Sequence, residues 1–274
     1  ARLDSAKDHP EFDVWHGGPV DGYGAAAEKG LIEAYDSPTA KEIPDKYKDP
    51  KHYWTGVYVG VLGFCSNQKV LQEKGLEVPQ SWDDLLKPEL KGQVSTAHPS
   101  TSGTAFTTLW TQVVLRGSED AGLDYMKKMH ANVLQYTKSG TAPGQIAGRG
   151  EVAVGLVFSH DCVKYRDEGM KDLVVSFPKE GTGYEIGGVA LVKNSKHSEA
   201  AKKYIDWAIS ADAQNLGQTV GSNQILTNPN AKTNDKMAKL DEINLIDYDF
   251  AAAAAAKPEL TKRFDEEVAA KPRQ

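Results

Sequence analysis

The stretch Lys91-Gly-Gln-Val-Ser-Thr-Ala97, His98-Pro-Ser-Thr-Ser-Gly-Thr104, Ala105-Phe-Thr-Thr-Leu-Trp-Thr-Gln-Val-Val-Leu-Arg116 decides the fold. A run with β-branched residues passes into a hydroxyl-rich turn holding one glycine, then into a segment free of glycine and proline, which reads as strand, turn, helix. The same grammar recurs downstream. Val133 to Tyr136 reads as a strand that meets Thr137-Lys-Ser-Gly-Thr-Ala-Pro143, with a short helix to Arg149. Val152 to Phe158 is almost continuously apolar, as buried parallel strands are, and ends at Ser159-His160-Asp161. Upstream, Trp54 to Phe64 carries too many glycines for a helix and reads as a buried strand. Short strands alternating with helices define an α/β fold, and no low-complexity linker separates two halves, so two lobes must be joined by crossing strands.

Composition removes several function classes. The chain has 274 residues, and 32 Lys and Arg against 38 Asp and Glu give a net charge of −6, the wrong sign for a general nucleic-acid binder. With 40% hydrophobic and 26% charged residues the chain has a globular composition. The longest uncharged apolar stretch, Thr55 to Cys65, is about 11 residues, where a bilayer-crossing helix needs roughly 20. No basic-then-apolar leader precedes Ala1. Cys65 and Cys162 fit one disulfide or two buried thiols equally well; their spacing matches no zinc or redox motif.

Two strand–turn–helix junctions carry the main chemical signal. A helix start leaves backbone N–H groups unpaired and partially positive, so Ser102, Gly103 and Thr104, and Thr137, Ser139, Gly140 and Thr141, are candidate anion donors. Ordinary capping is the competing reading. His160 and Asp161 follow a strand's carboxyl end, where open α/β sheets place ligands, and Glu185 lies within the glycine-rich Gly181 to Gly187. These three can read sugar hydroxyls. Carboxylates repel a phosphate by several kcal/mol at low effective dielectric, so they belong at the neutral end of a ligand and the hydroxylated turns at its charged end. Trp15 or His16, near the glycine turn, would line the opposite wall of the site, with core as the competing and favoured reading of Trp15. No nucleophile, metalloprotease or dinucleotide motif is present, which points away from an enzyme. The sequence implies no cofactor and no metal site.

Asp13 to Gly18, Gly60 to Phe64 with Asn67, Pro79 to Leu85, His98 to Phe106, and Ser139 to Pro143 through Arg149-Gly-Glu151 occur in an order and spacing that resemble the solute-binding proteins of bacterial ABC importers. The likeness is greatest to the branch with ferric-ion-binding and AfuA-type hexose-phosphate-binding proteins. It implies a type II periplasmic binding protein with two lobes around a ligand cleft. Residues 1–92 and 186–234 would form lobe 1, and residues 93–185 and 235–274 lobe 2. It also implies export to the periplasm, capture of a sugar phosphate or similar organophosphate as a monomer, and delivery to a membrane permease, with ferric iron, another anion, a phosphonate or thiamine as alternatives. Ferric-binding members carry adjacent tyrosines where this chain has His160-Asp161, a departure that favours the sugar-phosphate subgroup. The family begins with a strand, helix and strand ahead of the segment matching Ala1, a unit of roughly 30 residues whose absence would leave lobe 1 short of central strands. A hydrolase or transferase using His160 and Glu185 is the contrasting class.

Overall fold

In the computed structural model, which describes residues 2–6 and 8–270, strands and helices alternate as the sequence pattern requires. The first half contains α1 (Arg2–Ser5), β1 (Val14–Pro19), α2 (Asp21–Glu28), β2 (Ile32–Glu33), β3 (Thr55–Asn67), α3 (Gln68–Glu73), β4 (Val94–Ala97), α4 (Gly103–Arg116), α5 (Glu119–His130) and β5 (Val133–Thr137). It is followed by α6 (Ala142–Gly148), β6 (Val154–Phe158), α7 (Ser159–Asp167), β7 (Leu173–Ser176), β8 (Tyr184–Val192), α8 (Ser198–Ala208), α9 (Ala211–Thr219), β9 (Ile225–Leu226) and α10 (Phe250–Glu267). No helix among the described residues is long and apolar enough to cross a membrane.

The chain forms two compact units: Ala1–Gly60, Glu185–Met237 and Phe250–Ala254 make the first, and Val61–Tyr184, Ala238–Asp249 and Ala255–Gln274 the second. The chain passes from one unit to the other within continuous strands at β3 and β8, and again at residues 237–238, 249–250 and, inside α10, 254–255. Residues 61–92, which the sequence reading gives to lobe 1, lie in the second unit. The reason is pairing: the second half of β3 is hydrogen-bonded to β6, from Leu62↔Phe158 to Ser66↔Val154, and to β7, from Phe64↔Ser176 to Asn67↔Leu173.

In the second unit β4 lies between β6 and β5 and is parallel to both, with Val94↔Val154 and Ala97↔Thr137 in register. Every residue of β6 is buried, which explains the unbroken apolar run; each of its Val, Leu and Phe side chains contributes roughly 1.5–3 kcal/mol. Asn67 caps α3 by accepting from the Val70 amide at 3.2 Å, and α4 stops at Gly117, whose φ of 86° is the left-handed conformation glycine tolerates. Cys65 on β3 and Cys162 on α7 form a disulfide with a Cα–Cα distance of 5.6 Å, deciding between the two alternatives. They sit in a core with Ile146, Ala147, Val152, Val157, Tyr165 and Leu173.

In the first unit β1 and β2 pair antiparallel with β8, and β9 pairs with the first half of β3. Trp15 stacks on Tyr23 with ring centroids 3.9 Å apart and, itself half-buried, packs against a core of Tyr23, Ala26, Leu31, Ile32 and Ala190. α9 is an element the sequence reading does not anticipate.

Candidate functional site

Parallel strands fix where the turns go. Because β5, β4 and β6 run in one direction, their carboxyl ends deliver three chain segments to the same end of the second unit's sheet. β5 delivers Thr137 to Thr141, β4 delivers His98 to Thr104, and β6 delivers Ser159 to Asp161. Two of the three also touch directly. Thr101 Oγ1 donates to the Lys138 carbonyl at 3.0 Å. A Cβ placed on Gly140 would stand 2.3 Å from Thr104 Oγ1 and 2.7 Å from Ser102 Oγ, so only glycine lets the second turn lie against both hydroxyls of the first.

Within the first turn Ser102 is the N-cap of α4, its Oγ accepting from the Ala105 amide at 3.3 Å. The next amides, of Gly103 and Thr104, have no partner within the helix and lie at its positive end. In the second turn Thr137 Oγ1 donates to the Ser139 carbonyl at 2.7 Å, which gives Thr137 the work of shaping the turn. Ser139 Oγ and Thr141 Oγ1 are 2.9 Å apart and both residues are exposed. Capping thus falls to the buried Ser102, and presentation of hydroxyls to Ser139 and Thr141.

The third segment differs from the sequence reading. Ser159-His160-Asp161 reads from the sequence only as the end of a strand, whereas α7 begins at Ser159 and places Asp161 in its first turn. His160 stacks flat on Phe158, ring centroids 5.9 Å apart, and its Nε2 is 3.8 Å from Asp161 Oδ1. Burial acts on both rings and carboxyls against charge: it pushes His160 down to about 4 and Asp161 up to about 6. At neutral pH His160 is therefore uncharged, and the two are not an ion pair. Tyr165 Oη donates to the Thr141 carbonyl at 3.2 Å, tying α7 to the second turn.

Glu185 is not in this group. It belongs to β8 in the first unit, 5% exposed, and with Tyr58 it acts electrostatically on Tyr23, whose hydroxyl is raised well above its ordinary range, chiefly by burial. Gly17 and Gly18 have φ of 91° and 82°, and the Gly18 amide donates to Tyr58 Oη at 3.3 Å. The Tyr58 ring lies across Gly187, where a Cβ would come within 2.1 Å of it. Sequence reasoning missed Tyr58; the glycines of Gly183 to Gly187 were its signal, since a strand glycine often marks close approach of another group. His16 Nδ1 is 2.8 Å from Tyr204 Oη, and His16, Tyr58, Tyr204 and Trp207 line a cavity of about 190 Å³ in the first unit. Among the described residues, no three of His, Cys, Asp and Glu gather to hold a metal ion.

Comparison with known proteins gives this geometry its context. Residues 20–254 match the family model described as bacterial extracellular solute-binding protein. An uncharacterised protein of Haemophilus influenzae is 41% identical over 264 residues, which span 94% of this chain and 75% of that one. The structure of the periplasmic binding protein AfuA from Actinobacillus pleuropneumoniae with fructose-6-phosphate bound superimposes with a TM-score of 0.92 at 39% identity, over 97% of this chain and 85% of that chain. The Fe(3+)-binding periplasmic protein of Serratia marcescens is 23% identical over 233 residues, 83% of this chain and 67% of that one. Two units joined through continuous strands, with three turns at the carboxyl ends of parallel strands, are the architecture of a type II periplasmic binding protein, and the chain belongs to the bacterial extracellular solute-binding proteins of ABC importers, in the branch that contains AfuA.

Proposed function

We propose that the protein captures a phosphorylated sugar, such as a hexose phosphate, or a similar organophosphate in the periplasm and hands it to a membrane permease as a monomer, with no chemical change to the ligand. The observation that carries this reading is the meeting of two hydroxyl-rich turns at Gly140, beside the positive end of α4. A phosphate needs several donors converging on one point. Ser102, Gly103, Thr104, Ser139, Gly140 and Thr141 supply amides and hydroxyls there, in a turn shaped by Thr137. A sugar ring needs acceptors instead. Asp161 is the acceptor on the second unit, and neutral His160 adds a hydrogen bond without a competing positive charge. Glu185, beside Tyr58 and Tyr23 in the first unit, is a separate acceptor whose part is tested on its own. The likeness to AfuA, a protein whose structure holds fructose-6-phosphate, supports this assignment.

Isothermal titration with fructose 6-phosphate, 2-aminoethylphosphonate and ferric citrate tests it. The sugar phosphate is expected to bind stoichiometrically and to be recovered intact by mass spectrometry. Asp161→Ala is expected to weaken it at least about tenfold, the loss of a charge-assisted hydrogen bond, with an unchanged circular dichroism spectrum. Glu185→Gln is scored the same way. Binding of ferric citrate or the phosphonate without any sugar phosphate, or recovery of a hydrolysed sugar, would overturn the reading.

A further inference from the structure

Resting on that reading, we propose that His98 and Asp265 are positioning residues of the phosphate turn, through which the C-terminal helix α10 sets the turn's shape. Neither is among the residues offered to the ligand. His98 is fully buried at the end of β4, and the turn is wrapped around it. Its Nε2 lies 2.9 Å from the Ala269 carbonyl just beyond α10 and 3.3 Å from Asp265 Oδ1. Two acceptors there place the hydrogen on Nε2 and leave Nδ1 as an acceptor, and the Ser100 amide donates to it at 3.2 Å. The His98 carbonyl accepts from the amides of Thr101 and Ser102, each at 3.0 Å. One imidazole and one carbonyl thus hold three successive amides of the turn.

The other arm runs through Asp265. Its Oδ1 accepts from Ser100 Oγ at 2.8 Å, so a single carboxylate oxygen touches both the turn and the histidine. Phe264 packs edge-on against the His98 ring at 5.1 Å, and Tyr136 does so from β5 at 5.8 Å. From this point the path to the hydroxyls is short. Thr101 is bonded to Lys138 of the second turn, and Ser102, the next residue, caps α4 and faces Gly140. A shift of α10 therefore reaches the donors of both turns through an unbroken path of hydrogen bonds and the close approach at Gly140.

Ser100→Ala separates this from a merely structural role, because it removes the direct hydrogen bond from the turn to Asp265 while leaving the buried histidine, its bond to the Ser100 amide and the helix in place. Two measurements are needed. The first is amide hydrogen exchange of residues 101–104 and 139–141 in the unliganded protein, where Ser100→Ala and Asp265→Ala are both expected to speed exchange about three- to tenfold, the loss of one hydrogen bond. The second is titration with fructose 6-phosphate and with inorganic phosphate, where both ligands are expected to weaken by the same factor, since only the phosphate turn is disturbed. His98→Asn, which keeps an acceptor near Nδ1 but loses contact with α10, is expected to behave as Asp265→Ala does. Exchange unchanged in Ser100→Ala with sugar-phosphate binding intact overturns this proposal and leaves the ligand assignment standing. Faster exchange in a protein that binds no sugar phosphate overturns the ligand assignment and leaves the strut in place.

Discussion

Burial acts on His160 and Asp161 in opposite directions, and the two effects overlap in one pH range. His160, lowered from 6.5 to about 4, favours the fold above pH 6.5, and that contribution is lost as pH falls toward 4. Asp161, raised from 3.8 to about 6, favours the fold below pH 3.8, and its contribution is lost as pH rises toward 6. Each amounts to roughly 3 kcal/mol, so between pH 4 and 6 they largely cancel. Single substitutions should expose them. Urea unfolding of Asp161→Asn is expected to show stability falling on acidification from pH 6.5 to 4 more steeply than in the parent, and His160→Gln to show stability falling as pH rises from 4 to 6. Two variants with the parent's pH profile would refute the assignment. The sequence shows this His-Asp pair plainly but not its helix: the N-cap position is Phe158, whose side chain makes no cap bond, so the usual start signal is missing. Glu185 was legible as an acid among glycines, yet Gly187 makes room for the Tyr58 ring and Gly183 for the Thr111 side chain, so the segment is a packed strand and not an open loop.

At the scale of elements, the disulfide joins β3 to the first turn of α7, the helix that begins with Ser159, His160 and Asp161, across 97 residues of chain. Closing so long a loop restricts the unfolded chain strongly, by about 4–5 kcal/mol in the entropic model. The double variant Cys65→Ala/Cys162→Ala is expected to lose roughly 2–5 kcal/mol in urea unfolding, with its sheet content retained by circular dichroism. Equal stability of the two proteins would contradict this. Sequence patterns gave β4, β5 and β6 because hydroxyl-rich turns punctuate apolar runs, and Ser102 marked the start of α4 from its residue type. The pairing of β3 with β6 and β7 was not legible, since a run from Thr55 to Asn67 buried along nearly its whole length carries no mark of where one sheet partner replaces another. α9 was invisible for a related reason: with only Gln214 buried, it has no apolar stripe to give a helical period.

Taken whole, the molecule has two units and no linker between them in sequence, which the absence of a low-complexity segment had indicated. Their boundary was not readable, because two of its crossings fall within strands and one within α10, in stretches whose residues look alike on either side. Ligand capture makes a molecule-wide prediction that follows mass action. At a sugar-phosphate concentration a hundredfold above its dissociation constant, the liganded protein gains about 2.7 kcal/mol, and its melting temperature should climb with the logarithm of ligand concentration. A melting temperature indifferent to fructose 6-phosphate from micromolar to millimolar would remove that ligand. The bond between Cys65 and Cys162 has a further meaning. Glutathione keeps such thiols reduced in the cytosol, whereas the periplasm oxidises them. The native covalent state is therefore reached only after secretion, and a chain retained inside the cell would stay reduced and less resistant to unfolding than its periplasmic counterpart.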